Sequence, residues 1–268
     1  MSVMPNEPPD SPLVARVVPS PNREPRVGVS APDILLLHYT GMADTDEALA
    51  RLCDPAAKVS SHHLVREDGT VLQLVPEHLR AWHAGLSSWE GVADVNSRSI
   101  GIEIANPGHD FGCPPFPERQ IAAVIALCAD ICRRWRIRPD RVLAHSDVAP
   151  TRKRDPGETF PWESLAREGV GLWVASAPLD TPGAALSPGD AGDAVLALQR
   201  DLAAFGYGVA PTGRYDDLTV AVVTALQRHF RPARVDGVAD ASTRQTLSRV
   251  LEMSGSILRV TEARPGLA

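Results

Sequence analysis

The chain has 268 residues, of which 44% are hydrophobic, and a formal net charge of −6. That length fits one large or two modest domains with ample material for a core, and the acidic balance without a long basic run excludes a general nucleic-acid binder. No stretch approaches the roughly 20 consecutive apolar residues of a membrane span, and four cysteines do not build a disulfide framework.

Residues 1–32 hold eight of the 24 prolines, which predicts a tail running across the surface without regular structure. Met1 to Ser20 lacks the basic start and apolar core of an export signal. The first strand is expected over Ile34 to His38, followed by a short helix opened by Asp44 and Glu47 at capping-box spacing and carrying Ala48, Leu49, Leu52 and Cys53. His62 to Arg66 and Thr70 to Val75, separated by Glu67-Asp68-Gly69, predict a hairpin. A strand over Ser99 to Ala105 precedes a helix from about Pro117 to Arg136, whose Ile121, Val124, Cys128, Ile131 and Trp135 recur at helical spacing. Arg141 to His145 is the last strand. Strands interleaved with helices and one hairpin make this an α/β domain with a mixed central sheet flanked by helices.

From Ala175 to Gly192 the chain is rich in Ala, Ser, Pro and Gly and reads as a linker. Beyond it Val195, Leu198, Leu202 and Phe205 mark one amphipathic helix, Leu218, Val222, Leu226 and Phe230 a second, and Leu247 and Leu251 a third. The expected organisation is therefore a tail (1–32), an α/β domain (33–174), a linker (175–192), a small three-helix domain (193–252) and a C-terminal tail (253–268). Cys128 and Cys132, one turn apart on an apolar face, read as buried thiols. Free thiols and the lack of an export signal lead to the expectation of a cytoplasmic protein, with periplasm or outer membrane as the alternative. A monomer is expected.

Chemistry concentrates in Ala144-His145-Ser146-Asp147-Val148-Ala149-Pro150-Thr151-Arg152-Lys153-Arg154-Asp155, where a lysine and an aspartate follow His145 by eight and ten residues. A histidine and a carboxylate supply two ligands of a metal site, and His38, at the end of an apolar strand, is the obvious third. Two histidines and one carboxylate with an open fourth position recur in zinc hydrolases. Glu103 is a single acidic residue in the apolar run Ile100-Gly101-Ile102-Glu103-Ile104, and burying an unpaired carboxylate is costly enough that such a residue usually has a partner or a task. It is the candidate base.

The set LLLHYT, SSHHLV, REDGTVLQLVPE, AWHAG, NSRSIGIEIAN and AHSDVAPTRKRDPGETFPW, in order between Asp33 and Trp173, resembles the zinc-dependent N-acetylmuramoyl-L-alanine amidases of the AmpD/AmiD group, relatives of phage amidase lysozymes and animal peptidoglycan recognition proteins. The region from about Pro188 to Leu251 resembles the small helical peptidoglycan-binding module of the AmiD-like branch. The resemblance implies one zinc ion on His38, His145 and Asp155, Glu103 as proton carrier, Lys153 stabilising the developing oxyanion, and a peptidoglycan or muropeptide substrate cut between the lactyl group of N-acetylmuramic acid and L-alanine. Trp82 and His83 are candidate walls of the substrate cleft, and Arg66 and Arg98 candidate partners of peptide carboxylates. His62 is expected in structural support and His63 on the other face of its strand. His78, His109 and His229 receive no function. A non-catalytic muropeptide receptor is the alternative, and the complete set of His38, His145, Asp155 and Glu103 favours the enzyme.

Overall fold

The computed structural model describes residues 8–262, so residues 1–7 and 263–268 of the two expected tails lie outside the described residues. The elements in chain order are β1 (Arg16–Val17), β2 (Arg23–Pro25), β3 (Ile34–Tyr39), α1 (Thr45–Cys53), β4 (His63–Val65), β5 (Val71–Gln73), β6 (Leu79–Ala81), α2 (Val95–Arg98), β7 (Ser99–Ile104), α3 (Glu118–Trp135), β8 (Val142–Ala144), α4 (His145–Val148), α5 (Trp162–Arg167), α6 (Asp193–Phe205), α7 (Asp217–Phe230) and α8 (Ala241–Glu262). Six strands form a mixed sheet in the order β1-β5-β4-β7-β3-β8, while β2 and β6 make a separate ribbon. Within the large sheet the β4/β5 hairpin is antiparallel and the other pairs are parallel. The continuous apolar run of β3 suits this place, because a parallel centre is covered on both faces.

Side chains alternate between the two faces of the sheet. Leu35, Leu37, Ile100, Ile102 and Ile104 enter a core shared with Val124, Leu127, Cys128 and Ile131 of α3. Ile34, Leu36, His38, Gly101 and Glu103 therefore occupy the opposite face. His38 is in register with Glu103 and Leu37 with Ala144, so His145 follows one residue further along. His63 points to the α3 side, where its Nε2 is 2.8 Å from Glu77 Oε1 and Arg134 Nη2 binds the same oxygen at 2.8 Å.

Three expectations are corrected. The proline-rich segment does form structure: β1 joins β5 and β2 joins β6, since Pro19 and Pro21 fall between the two strands and leave Arg16-Val17 and Arg23-Glu24 able to pair. The last strand stops at Ala144, because His145 opens the single turn of α4. The third helix of the C-terminal unit continues to Glu262, past the boundary expected at 252, as no proline interrupts it.

The helical unit also packs directly on the sheet domain. One core joins Ile34, Leu36, Trp89 and Leu143 to Leu198, Leu202, Phe205 and Phe230. Trp89 is fully buried, its ring 5.5 Å from Phe205 and 5.2 Å from Tyr207. Gly206, at φ 137°, lies so close that a Cβ would approach Trp89 Cε2 to 2.5 Å. The expected linker carries no helix but is tied down, Ala177 N–H donating to Thr246 Oγ1 at 3.0 Å and Ser242 Oγ donating to Ala177 O at 2.8 Å.

Candidate active site

β3 and β7 deliver His38 and Glu103 side by side at the carboxyl end of the sheet. β8 hands directly to His145, and the irregular segment after α4 returns Asp155 to the same point, with Ser146 N–H donating to Asp155 O at 3.0 Å. His38 Nδ1 lies 2.8 Å from His145 Nδ1 and 3.1 Å from Asp155 Oδ2, and His145 Nδ1 lies 2.9 Å from that oxygen. All three residues are buried.

The surrounding hydrogen bonds determine which nitrogens carry protons. A carbonyl oxygen only accepts, so the 3.1 Å contact between His145 Nε2 and Ala84 O places the proton on Nε2 and leaves Nδ1 a bare lone pair. The Ser99 hydroxyl donates to Val95 O at 2.6 Å, which makes Ser99 Oγ the acceptor for His83 Nε2–H at 3.3 Å. His83 Nδ1 then accepts from His38 Nε2–H at 3.0 Å, and His38 Nδ1 is likewise a bare lone pair. Two unprotonated nitrogens and a carboxylate oxygen thus face one another, an arrangement that is mutually repulsive without a cation and that matches the ligand types of a two-histidine, one-carboxylate metal site.

Burial, reinforced by neighbouring His145, pushes the His38 imidazole down to about 4, and burial with His38 beside it holds His83 well below the ordinary histidine value. Burial acts to raise the Asp155 carboxyl, but His145 and His38 outweigh it and hold the group well below the usual carboxylate range. A neutral His38 imidazole beside an ionised Asp155 carboxylate is a pairing that suits metal ligation. Burial, then the charge of Asp155, raises Glu103 well above the ordinary glutamic acid value, with Lys153 opposing. Glu103 Oε2 is buried and has no hydrogen-bond partner. Lys153 forms no ion pair among the described residues. Both line one cleft of about 510 Å³ together with His38, His145, Asp155, Trp82 and Arg51.

The remaining candidates divide. Trp82 lines this cleft, its indole N–H donating to Glu24 Oε1 at 3.0 Å. His83 reaches the cleft but is not simply a wall, because both ring nitrogens are engaged and it sets the tautomer of His38. Arg98 is not brought to the site: it binds Asp33 at 2.9 Å at the opposite end of β7, about 16 Å along the strand from Glu103. Arg66 also stays outside the cleft lining, paired with Asp46 Oδ1 at 2.6 Å on the rim of α1.

Several contributors escaped the sequence reading. Gly101 leaves the space that the His83 ring fills, since a Cβ would lie 2.5 Å from His83 Nδ1; a glycine inside a strand is the signal for such close approach. His109 braces the rim, contacting Tyr39 Oη at 3.0 Å and Glu158 Oε2 at 2.9 Å. His229 and Tyr207, from the helical unit, both bind Asp147.

Comparison with known proteins adds independent information. The profile of the N-acetylmuramoyl-L-alanine amidases matches residues 28–158, and that of a putative peptidoglycan binding domain matches 191–247. The chain is 41% identical over 238 residues to the N-acetylmuramoyl-L-alanine amidase AmiD of Escherichia coli, covering 83% of each chain. Its fold is similar to that of E. coli AmiD in complex with the substrate anhydro-N-acetylmuramic acid-L-Ala-D-gamma-Glu-L-Lys, with TM-score 0.71 and 37% identity over 87% of this chain and 93% of that one. It is also similar to AmpDh3 from Pseudomonas aeruginosa in complex with anhydromuramic pentapeptide, with TM-score 0.68 and 30% identity over 86% of this chain and 96% of that one.

Proposed function

The chain belongs to the N-acetylmuramoyl-L-alanine amidase family, and from that premise we propose that His38, His145 and Asp155 hold one catalytic zinc ion, with Glu103 and Lys153 as the working groups beside it. It is an enzyme that hydrolyses the amide between the lactyl group of N-acetylmuramic acid and L-alanine in peptidoglycan-derived substrates. The observation that carries the zinc assignment is the convergence of three unprotonated donor atoms, with the outer nitrogens of the two histidines already committed to Ala84 and His83.

When bound, zinc supplies a Lewis acid that activates water and polarises the amide carbonyl. Glu103, whose Oε2 lacks any protein partner, takes the proton from the attacking water and passes it to the leaving amine of L-alanine. Its raised pKa suits both halves of that relay, which is typically worth about a hundred- to ten-thousandfold. Lys153, on the same cleft wall, faces the negative charge that grows on the carbonyl oxygen, and losing one such donor costs on the order of 3 kcal/mol. Trp82 offers an aromatic surface to the sugar or stem peptide.

Elemental analysis tests the ligand set: the parent chain carries one zinc and His145→Ala loses metal and turnover together, whereas full zinc occupancy in that variant refutes the assignment. We assign the sheet domain, with residues 33–174 at its centre, to catalysis and the helical unit, 193–262, to contact with peptidoglycan-derived material. Among the described residues no helix is long and apolar enough to cross a membrane. The four free cysteines support a place in the reducing cytoplasm, where the chain would act as a monomer on released anhydromuropeptides. Recovery of the native protein in the periplasm or outer membrane on cell fractionation would overturn that location and leave the chemistry untouched.

A further inference from the structure

We propose that Tyr207 and His229, both carried by the helical unit, are positioning residues for the amidase site: they anchor Asp147 and thereby hold the turn that presents His145. This rests on the zinc reading above. α4 is a single turn of four residues, too short to sustain itself, and it begins with His145. Its stabilising contact is the Asp147 carboxylate, whose Oδ2 accepts the Ala144 N–H at 2.8 Å. That carboxylate is fully buried and takes two further donors, the Tyr207 hydroxyl on Oδ1 at 2.8 Å and His229 Nδ1–H on Oδ2 at 2.7 Å. A buried carboxylate persists only with its lone pairs satisfied, and here two of the three donors come from the other unit of the chain.

The setting of His229 points the same way. Its ring is stacked between Trp162 at 3.8 Å and Phe230 at 4.0 Å, a slot that an apolar ring would fill equally well. Its Nε2 is buried without a partner, a penalty a phenylalanine would avoid. The imidazole is explained by the one bond that phenylalanine cannot make, Nδ1–H to Asp147. The helical unit then supports the amidase site in addition to the peptidoglycan contact proposed for it, because the position of a metal ligand depends on it.

The test uses the full chain with Tyr207→Phe, His229→Leu and His229→Asn, each checked for folding by circular dichroism. Leucine fills the slot without a donor, and asparagine restores a donor near the place of Nδ1. Zinc affinity is read by competition with a chromogenic chelator, and kcat and KM on a soluble anhydromuropeptide. Tyr207→Phe and His229→Leu should each weaken zinc binding about tenfold, in the range typical of residues supporting a metal ligand, and lower kcat with KM unchanged. His229→Asn should recover most of both. Folded Tyr207→Phe and His229→Leu chains that bind zinc and turn over like the parent, or an asparagine variant no better than leucine, overturn the positioning role alone. A parent chain that takes up no zinc overturns the metal assignment, and this inference with it.

Discussion

Glu103 sits where an ordinary glutamate would not: on a central strand, with one carboxylate oxygen buried and unpartnered. Glu103→Ala should keep the fold and the zinc while turnover falls by about two to four orders of magnitude, as measured on zinc-loaded protein. Because burial and Asp155 raise its pKa, the Glu103 carboxyl of the metal-free chain should titrate with a midpoint above the ordinary glutamic acid value, as followed by carboxyl-carbon NMR. Lys153→Met should move that midpoint further up, since the lysine charge opposes the shift. The sign for stability follows from linkage: a carboxyl whose folded pKa is raised contributes stability fully below its unfolded pKa and loses it as pH rises through the folded value. The metal-free Glu103→Gln chain should therefore melt higher than the metal-free parent at neutral pH, and a lower melting temperature would contradict the burial argument. His38, Glu103 and His145 were readable as candidates because polar groups at or near the ends of apolar strands stand out, and Asp155 because it follows His145 by ten residues on one irregular segment. The role of His83 was not, since it depends on Ser99 and His38 on neighbouring strands, and Arg66 and Arg98 carried no sign that Asp46 and Asp33 would hold them elsewhere.

At the level of elements, strand β7 does two things at once: its even-numbered isoleucines fill the α3 core and its odd-numbered positions build the site. Gly101→Ala places a methyl against His83 Nδ1, where a Cβ would lie 2.5 Å away, so the ring must move and release the His38 tautomer. Weaker zinc binding in chelator competition, in a chain that still folds, is the expected result; unchanged affinity would show that the His83 contact is dispensable. At the start of α1, Asp44 accepts the Asp46 and Glu47 N–H groups, and Asp44→Ala should cost about 1 kcal/mol by denaturant titration. Period-two and helical patterns made the long elements legible. β1 and β2, with two and three residues, are too short to show a period, and only the edge of an existing sheet and the partner β6 determine that they pair.

Across the whole molecule, the Ala-, Ser-, Pro- and Gly-rich stretch and the amphipathic helices after it were legible in composition and periodicity, but the packing of those helices on the sheet domain was not. Hydrophobic periodicity reports that a face is buried without reporting against what; Phe205, Tyr207 and Phe230 turn out to share a core with Trp89 and Leu36. Detaching the helices is therefore not a neutral change. A chain cut near Ser187 should expose Trp89 and free Asp147 from two of its donors, giving an aggregation-prone protein with lost turnover even on small soluble muropeptides. A soluble, fully active truncation would show that the units are independent. The most direct test of the central claim is mass spectrometry of the products formed by the full chain from anhydro-N-acetylmuramic acid-L-Ala-D-gamma-Glu-L-Lys in heavy-oxygen water. The account predicts a free L-Ala-initiated peptide and one heavy oxygen in the new lactyl carboxylate, abolished by chelator and restored by zinc. Cleavage at any other bond, or undiminished cleavage by the metal-depleted chain, would contradict it.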